Sequence, residues 1–355
     1  MVKTSIKLRT LREIIKVFNK RTQPKVQKWL NGSAEYGYTT VRNENIFRSI
    51  GIIPQVLKNF KSSNSNCSFF GTQLSSPIII APMGGITTFN KKAQLIISDA
   101  SEKYKIPYFF PNNSSYTLSE LNPKLKKKYL NYALYLDSDL DYCKEIIEEA
   151  EKFNCKTITI SVDCPVRSVS YNKTDTGYDG RKHYKKMNLK LPKKYFRKKI
   201  GSPLSWKHIE LIRKMTKKPI ILKGILSKND AKTAENLGVN ALWVSNHGGR
   251  NLETDITSLE VIEGIRNKIS PKMKLIADGG IRTGSDIFKT LALGADFVSV
   301  GRPIVYGLVA DPKSGVSKVL ELLSHEFNTT MRISGTETLK DINKSFIINR
   351  LDRLK

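Results

Sequence analysis

Short apolar runs recur along the chain, each closing on small or polar residues and giving way to a segment with helical periodicity. They fall at Ser76 to Met83, Ile106 to Pro111, Tyr132 to Asp137, Thr157 to Asp163, Lys218 to Gly224, Ala241 to Asn246, Met273 to Gly280 and Asp296 to Gly301. Continuous runs rich in β-branched residues suit strands buried on both faces, as in a parallel sheet. Between them lie helix patterns such as Leu140 to Phe153 and Asp230 to Gly238, with Gly238 at a helix C-cap. Eight strands alternating with helices predict an α/β fold, a (β/α)8 TIM barrel. A doubly wound sheet competes, but no GxGxxG follows the first strand. Residues 1–70 precede that strand and are expected to form a helical extension packed on the barrel, with 71–355 as the barrel itself. The run from Cys164 to about Leu204 lacks periodicity and reads as a long loop after strand four, either a lid or a disordered segment.

Composition narrows the setting. The 39% hydrophobic content supports a sizeable core. The 4 cysteines, Cys67, Cys143, Cys155 and Cys164, include no CxxC pair. This argues against a zinc site or a disulfide framework and suits a reducing compartment. The first twenty or so residues spread charge through their apolar positions, unlike a signal peptide, and no apolar run is long enough for a transmembrane segment. A cytoplasmic protein is the expectation. A formal net charge of +28 draws attention to anionic partners. Its lysines are spread along the whole chain without a nucleic-acid-reading motif, so a solvated surface is the favoured explanation and no specific nucleic acid is expected.

In such barrels, chemistry collects where strands end. Those positions supply Met83 and Gly84, Pro111, Tyr135, Ser161 and Asp163, Lys223, Ser245 and His247, Asp278, and Gly301 with Arg302. The stretch SNHGGRNLETD, Ser245 to Asp255, sets an imidazole beside two glycines and then a guanidinium. His247 is a candidate general base and Arg250 an anion holder. The competing structural role for each is a polar turn or cap. Asp163 can support an imidazolium or cap a helix; Tyr135 can donate a hydrogen bond or fill the core. Lys223, at the end of an apolar strand, calls for an anionic neighbour. DGGIRTG (Asp278 to Gly284) and VGRP (Val300 to Pro303) place glycines and arginines after the last two strands, a setting for phosphate.

These residues resemble the FMN-dependent α-hydroxy acid oxidase and dehydrogenase family, which includes glycolate and lactate oxidases. The carrying segments are SNHGGRNLETD, ILKGI at Ile221 to Ile225, and the long run from Leu275 to Leu308, with weaker likeness at Ser161 to Pro165, Ala133 to Tyr135 and Ile78 to Gly84. The resemblance implies FMN at the barrel mouth and oxidation of a 2-hydroxy acid to its 2-oxo product. Lys223 would lie near flavin N1 and O2, and the backbone of Pro82, Met83 and Gly84 would pass N5. Ser161 and Ser245 would offer hydroxyls. Gly279, Gly280, Gly301 and Arg302 would face the phosphate, with Asp278 and Arg282 nearby. His247 would take a proton with Asp163 in support, while Tyr135 and Arg250 would hold the substrate. It also implies a homo-oligomer, a tetramer being one form.

The chain departs from that family on one side. A tyrosine before strand one becomes Trp29, and an arginine after strand four becomes Ser170, with Arg167 close enough in sequence to substitute. On the flavin side a glutamine becomes Ala133 and a serine becomes Pro111. These changes suggest a larger, less anionic or carrier-presented α-hydroxy substrate. They also keep alternatives open: a flavin- or phosphate-binding scaffold without the activity, a non-oxidising FMN enzyme such as an isomerase, and, on charge alone, a nucleic-acid binder. The electron acceptor stays open among oxidase, dehydrogenase and monooxygenase chemistry.

Overall fold

The computed structural model describes residues 8–178 and 203–350. Eight parallel strands close into a barrel in chain order: β1 (Ile78–Ile80), β2 (Tyr108–Pro111), β3 (Leu130–Tyr135), β4 (Ile158–Ser161), β5 (Ile220–Ile225), β6 (Ala241–Val244), β7 (Lys274–Ala277) and β8 (Phe297–Val300). Every predicted strand is present, and β8 pairs back onto β1 through Val298–Ile78 and Val300–Ile80. Part of the expected loop after β4 falls on residues 179–202, outside the described residues.

The apolar runs look continuous in sequence because both faces of each strand are covered. Side chains nevertheless alternate, as a two-residue repeat requires. Ile79, Phe109, Ile221, Trp243, Ile276 and Phe297 form one buried cluster inside the barrel. Their neighbours Ile78, Ile80, Phe110, Leu222, Leu242 and Val298 belong to a second cluster beneath the helices. The interior is packed edge to face: Phe109 meets Trp243 at 5.1 Å and Phe297 meets Phe69 at 4.9 Å between ring centroids. Phe69 comes from a short hairpin, Cys67–Phe69 with Thr72–Leu74, that plugs this interior. Each such fully buried side chain contributes about 1.5–3 kcal/mol relative to exposure.

The segment before the barrel is helical over Leu11–Arg21, Pro24–Asn31 and Tyr38–Asn45, followed by a 3-10 turn to Ser49. It is not helical throughout: Ile50–Ile52 pairs with Ile347–Asn349 near the other end of the chain. Among the described residues no helix is long and apolar enough to cross a membrane.

Two helices after β8, Arg302–Ala310 and Gly315–Ser334, cross with backbone nearly touching backbone. A Cβ on Gly315 would lie 1.9 Å from the carbonyl oxygen of Gly307, which cannot swing away as a side chain can. Gly315→Ala is therefore expected to destabilise the protein by about 1–3 kcal/mol, seen as a lower denaturation midpoint with the slope unchanged.

Candidate active site

The alternation that fills the barrel also selects its chemistry. Continuing each inward row past its apolar residues leads to Met83, Pro111, Tyr135, Asp163, Lys223 and His247, with Asp278 and Ser299 on the last two strands. Most of them line one cavity of about 790 Å³ at the C-terminal ends of the strands. Of the residues expected at the site, Pro82, Met83, Gly84, Tyr135, Lys223, His247, Arg250, Asp278, Gly279, Gly280, Arg282, Gly301 and Arg302 line this space. Ser161 lines a small chamber beside it, of about 20 Å³. Asp163 and Ser245 stand one layer back, each touching a cavity residue.

His247 is held from several sides. Its Nδ1 lies 2.9 Å and 3.1 Å from the two carboxylate oxygens of Asp163, and its backbone N–H donates to Ser245 Oγ at 3.0 Å. The other ring nitrogen, Nε2, is 3.4 Å from the Tyr135 hydroxyl, with the two rings nearly parallel at 6.0 Å. A carboxylate on Nδ1 favours the tautomer that carries its proton there, leaving Nε2 with the lone pair. Asp163 is buried, which alone would favour its neutral form. The charges of His247 and Lys223 and the hydrogen bonds from His247 and Cys164 outweigh burial and hold it well below the usual carboxylate range. It therefore stays ionised across neutral pH. The stability linked to its depressed pKa is present above the unfolded value and is lost only as pH falls through the acid range.

The glycine pair after His247 has a packing reason as well as a chemical one. His247 itself adopts φ 57°, a left-handed conformation uncommon for a side-chain-bearing residue. A Cβ on Gly249 would sit 2.5 Å from Thr40 Oγ1, so the loop can lie against the helix Tyr38–Asn45 only without a side chain there. Similarly, a Cβ on Gly280 would fall 1.7 Å from the carbonyl oxygen of Asn43. Arg250 then reaches back, its Nη1 donating to the carbonyls of Trp29, Leu30 and Gly32 at 3.2, 2.9 and 3.0 Å, with the guanidinium 5.9 Å over the Trp29 ring.

Lys223, Arg250, Arg282 and Arg302 bring positive charge to the cavity. Lys223 is 4% exposed, 3.1 Å from Ser245 Oγ and 3.5 Å from His247 Nδ1. Arg302 starts the helix after β8 and donates to Gly248 O at 2.7 Å. Burial and the neighbouring charges of Arg250 and Arg282 push its pKa down to about 10. Arg282 is paired with Glu44 at 2.7 Å. Asp278 uses one oxygen to accept from Trp243 Nε1 at 2.9 Å, while its Oδ1 is buried without a hydrogen-bond partner among the described residues. A backbone helix start, glycines and clustered guanidinium groups are the chemistry that suits an anion.

Apolar groups line the cavity as well. Trp29 stacks on Phe89 at 5.9 Å, and Met83, Ile86, Val166 and Leu204 are also among its lining residues. Ser170 lines it too, tied to Glu35 by a parallel bridge, and the lining Arg167 is exposed. Sequence reasoning missed several groups. Asn251 donates to Asp163 O at 3.2 Å and to Cys164 Sγ, and Asn43 and Asn246 exchange amide hydrogen bonds beneath the loop. Asn251 adjoins Arg250 in the quoted motif, so its position was available as a signal. Asn43 lies about two hundred residues from Asn246, and nothing local marks the pair.

The chain matches the family of FMN-dependent dehydrogenases over residues 18–349. It is 31% identical over 348 residues to a peroxisomal (S)-2-hydroxyacid oxidase, GLO4, of Arabidopsis thaliana, covering 95% of each chain. An L-lactate dehydrogenase of Acinetobacter baylyi is 29% identical over 363 residues, covering 93% of this chain and 94% of that one. Among solved structures, mandelate oxidase superposes with a TM-score of 0.87 at 27% identity, covering 94% of this chain and 96% of the other.

Whether this corner takes an anion has a direct test. Burial and the charges of Arg250 and Arg282 disfavour the charged form of Arg302, and a bound anion would offset that. Inorganic phosphate, compared with chloride at equal ionic strength, is expected to raise the melting temperature of flavin-stripped protein, and Arg302→Met to lose most of that rise. At a concentration one hundred times its Kd the anion would add about 2.7 kcal/mol.

Proposed function

This chain belongs to the FMN-dependent dehydrogenases and is an FMN-dependent oxidoreductase of 2-hydroxy acids, and on that premise we propose how its residues divide the work. His247 is the base, Asp163 its orienting partner, Tyr135 and Arg250 the substrate holders, and the cluster around Arg302 the phosphate site. The observation that carries this reading is the His247–Asp163 contact at 2.9 Å, with Nε2 turned towards Tyr135 and the cavity.

The residues present suit FMN. A dianionic phosphate would offset the charge of Arg302 beside Gly279, Gly280 and Gly301, and Asp278 Oδ1, without a partner among the described residues, suits a ligand hydroxyl. Pro82, Met83 and Gly84 would back the ring, with Ser161 and Ser245 as neighbouring hydroxyls. Lys223 would lie at the flavin edge that gains negative charge, where a fixed cation is most effective. When bound, FMN supplies the acceptor for two electrons. The protein's own share is acid–base and positional. Arg250 holds the acidic group of the substrate, Tyr135 donates to an oxygen of it, and His247 Nε2 takes the released proton. Asp163, kept ionised, stabilises the resulting imidazolium through Nδ1. This intact base pair also removes the ground for a catalytically silent scaffold, which has no use for an imidazole held in a left-handed turn.

The apolar lining supports a finer reading of the substrate. With Ser170 in place of a second guanidinium, the acidic group is held by Arg250. The Trp29–Phe89 surface then favours a 2-hydroxy acid carrying an aromatic or long alkyl group. Each buried methylene is worth about 0.8 kcal/mol, so small hydroxy acids forgo much of that binding. A cytoplasmic location and a homo-oligomer complete the proposal.

Anaerobic addition of 2-hydroxy acids to the purified yellow protein tests it. Aromatic and long-chain members are expected to bleach the flavin with a kcat/KM at least about tenfold above glycolate, and a preference for glycolate would overturn the substrate reading. His247→Ala is expected to keep the flavin and to slow bleaching by about two to four orders of magnitude. Bleaching at the wild-type rate would remove His247 as the base.

A further inference from the structure

The ends of β2 and β3 pose a problem for any ligand with a polar edge. Their inward side chains there are Pro111, which has no N–H, and Ala133, which has only a methyl group. An isoalloxazine ring ends in an imide: a carbonyl, the N3–H donor and a second carbonyl. An imide placed beside Pro111 and Ala133 would find no acceptor for N3–H in either side chain, and an unpaired N3–H would carry the desolvation cost of a lost hydrogen bond.

The next residue answers that need. Asn112 is 4% exposed and lines both the main cavity and the small chamber bounded by Pro111, Ala133 and Ser161. Its backbone N–H donates to Ala133 O at 2.7 Å, which fixes where the side chain starts. Its Nδ2 donates to the Tyr142 hydroxyl at 3.0 Å, which fixes how the amide is turned. Its Oδ1 is buried with no hydrogen-bond partner among the described residues. Buried acceptors in folded proteins are almost always satisfied, so an exception beside a ligand cavity points to a partner that the described residues do not supply. We propose that Asn112 reads the imide edge of FMN, its Oδ1 accepting from the flavin N3–H in place of the side chains that Pro111 and Ala133 do not provide.

The inference rests on FMN occupying the cavity, and the choice of flavin keeps the two questions apart. FMN and 3-methyl-FMN, in which a methyl group replaces the N3 hydrogen, are bound to the full-length protein, and dissociation is followed by the fluorescence that flavin regains on release. Wild-type protein is expected to prefer FMN by more than tenfold. In Asn112→Ala, FMN affinity falls about three- to tenfold, 3-methyl-FMN affinity does not fall, and the preference shrinks accordingly. Asn112→Asp retains an acceptor at this position and is expected to retain the preference. A packing role, or a water that satisfies Oδ1, would leave the ratio of the two affinities unchanged in Asn112→Ala, and that result overturns the assignment. Wild-type protein that binds neither flavin would instead overturn FMN occupancy, and this inference with it.

Discussion

Closing eight parallel strands on themselves is the constraint on which the rest depends. A closed sheet has no free edge, and its two-residue repeat commits alternate side chains to the interior with no freedom to slip. Slipping one strand by one residue would carry Trp243 from the barrel interior to the helix side, and Asp163, His247 and Lys223 with their rows out of the site. The packing of Phe109, Trp243, Phe297 and the plug residue Phe69 therefore does two things. It stabilises the barrel, and it fixes the register that brings a base, a carboxylate and a lysine to one end.

That end is completed by the segment preceding the barrel. Ala34 N–H donates to Gly249 O at 2.8 Å, and the Glu253 carboxylate accepts from the backbone N–H groups of Gly37 and Thr39 at 2.6 and 2.7 Å. Asn43 and Asn246 lock the two pieces through paired amides. These contacts hold the loop that carries His247 and Arg250 tightly enough to sustain a left-handed histidine. They also explain why glycine is needed at 249 and 280: in both places the helix Tyr38–Asn45 approaches too closely for a Cβ. The glycines that suggest phosphate binding in the sequence are thus partly demanded by backbone contact.

Most of the barrel was legible because its signals are local. Continuous β-branched runs marked the strands, and the polar residue ending each run marked the site. His247 with Asp163 and the clustered arginines were within reach for the same reason. Other features were not legible, since they depend on partners distant in the chain. The Ile50–Ile52 strand exists only because Ile347–Asn349 pairs with it, so helical periodicity could not exclude it. Asn112 carried no mark in sequence beyond following a proline. Only the fold shows that its amide oxygen is buried with no partner among the described residues.

The charges of the cavity show how folding and ligand binding are linked here. Lys223, Arg250, Arg282 and Arg302 face it, while Asp163 is committed to His247 and Glu44 to Arg282. Arg302 is left with a backbone carbonyl as its acceptor and two guanidinium neighbours, and its lowered pKa records the cost. A resident carboxylate beside it would relieve that cost in the empty protein. The same carboxylate would repel the proposed phosphate. Among the described residues no carboxylate forms an ion pair with Arg302, and the nearby Glu44 is paired with Arg282. An anion bound there, as the proposed phosphate would be, would couple cofactor binding to stability through this one electrostatic balance.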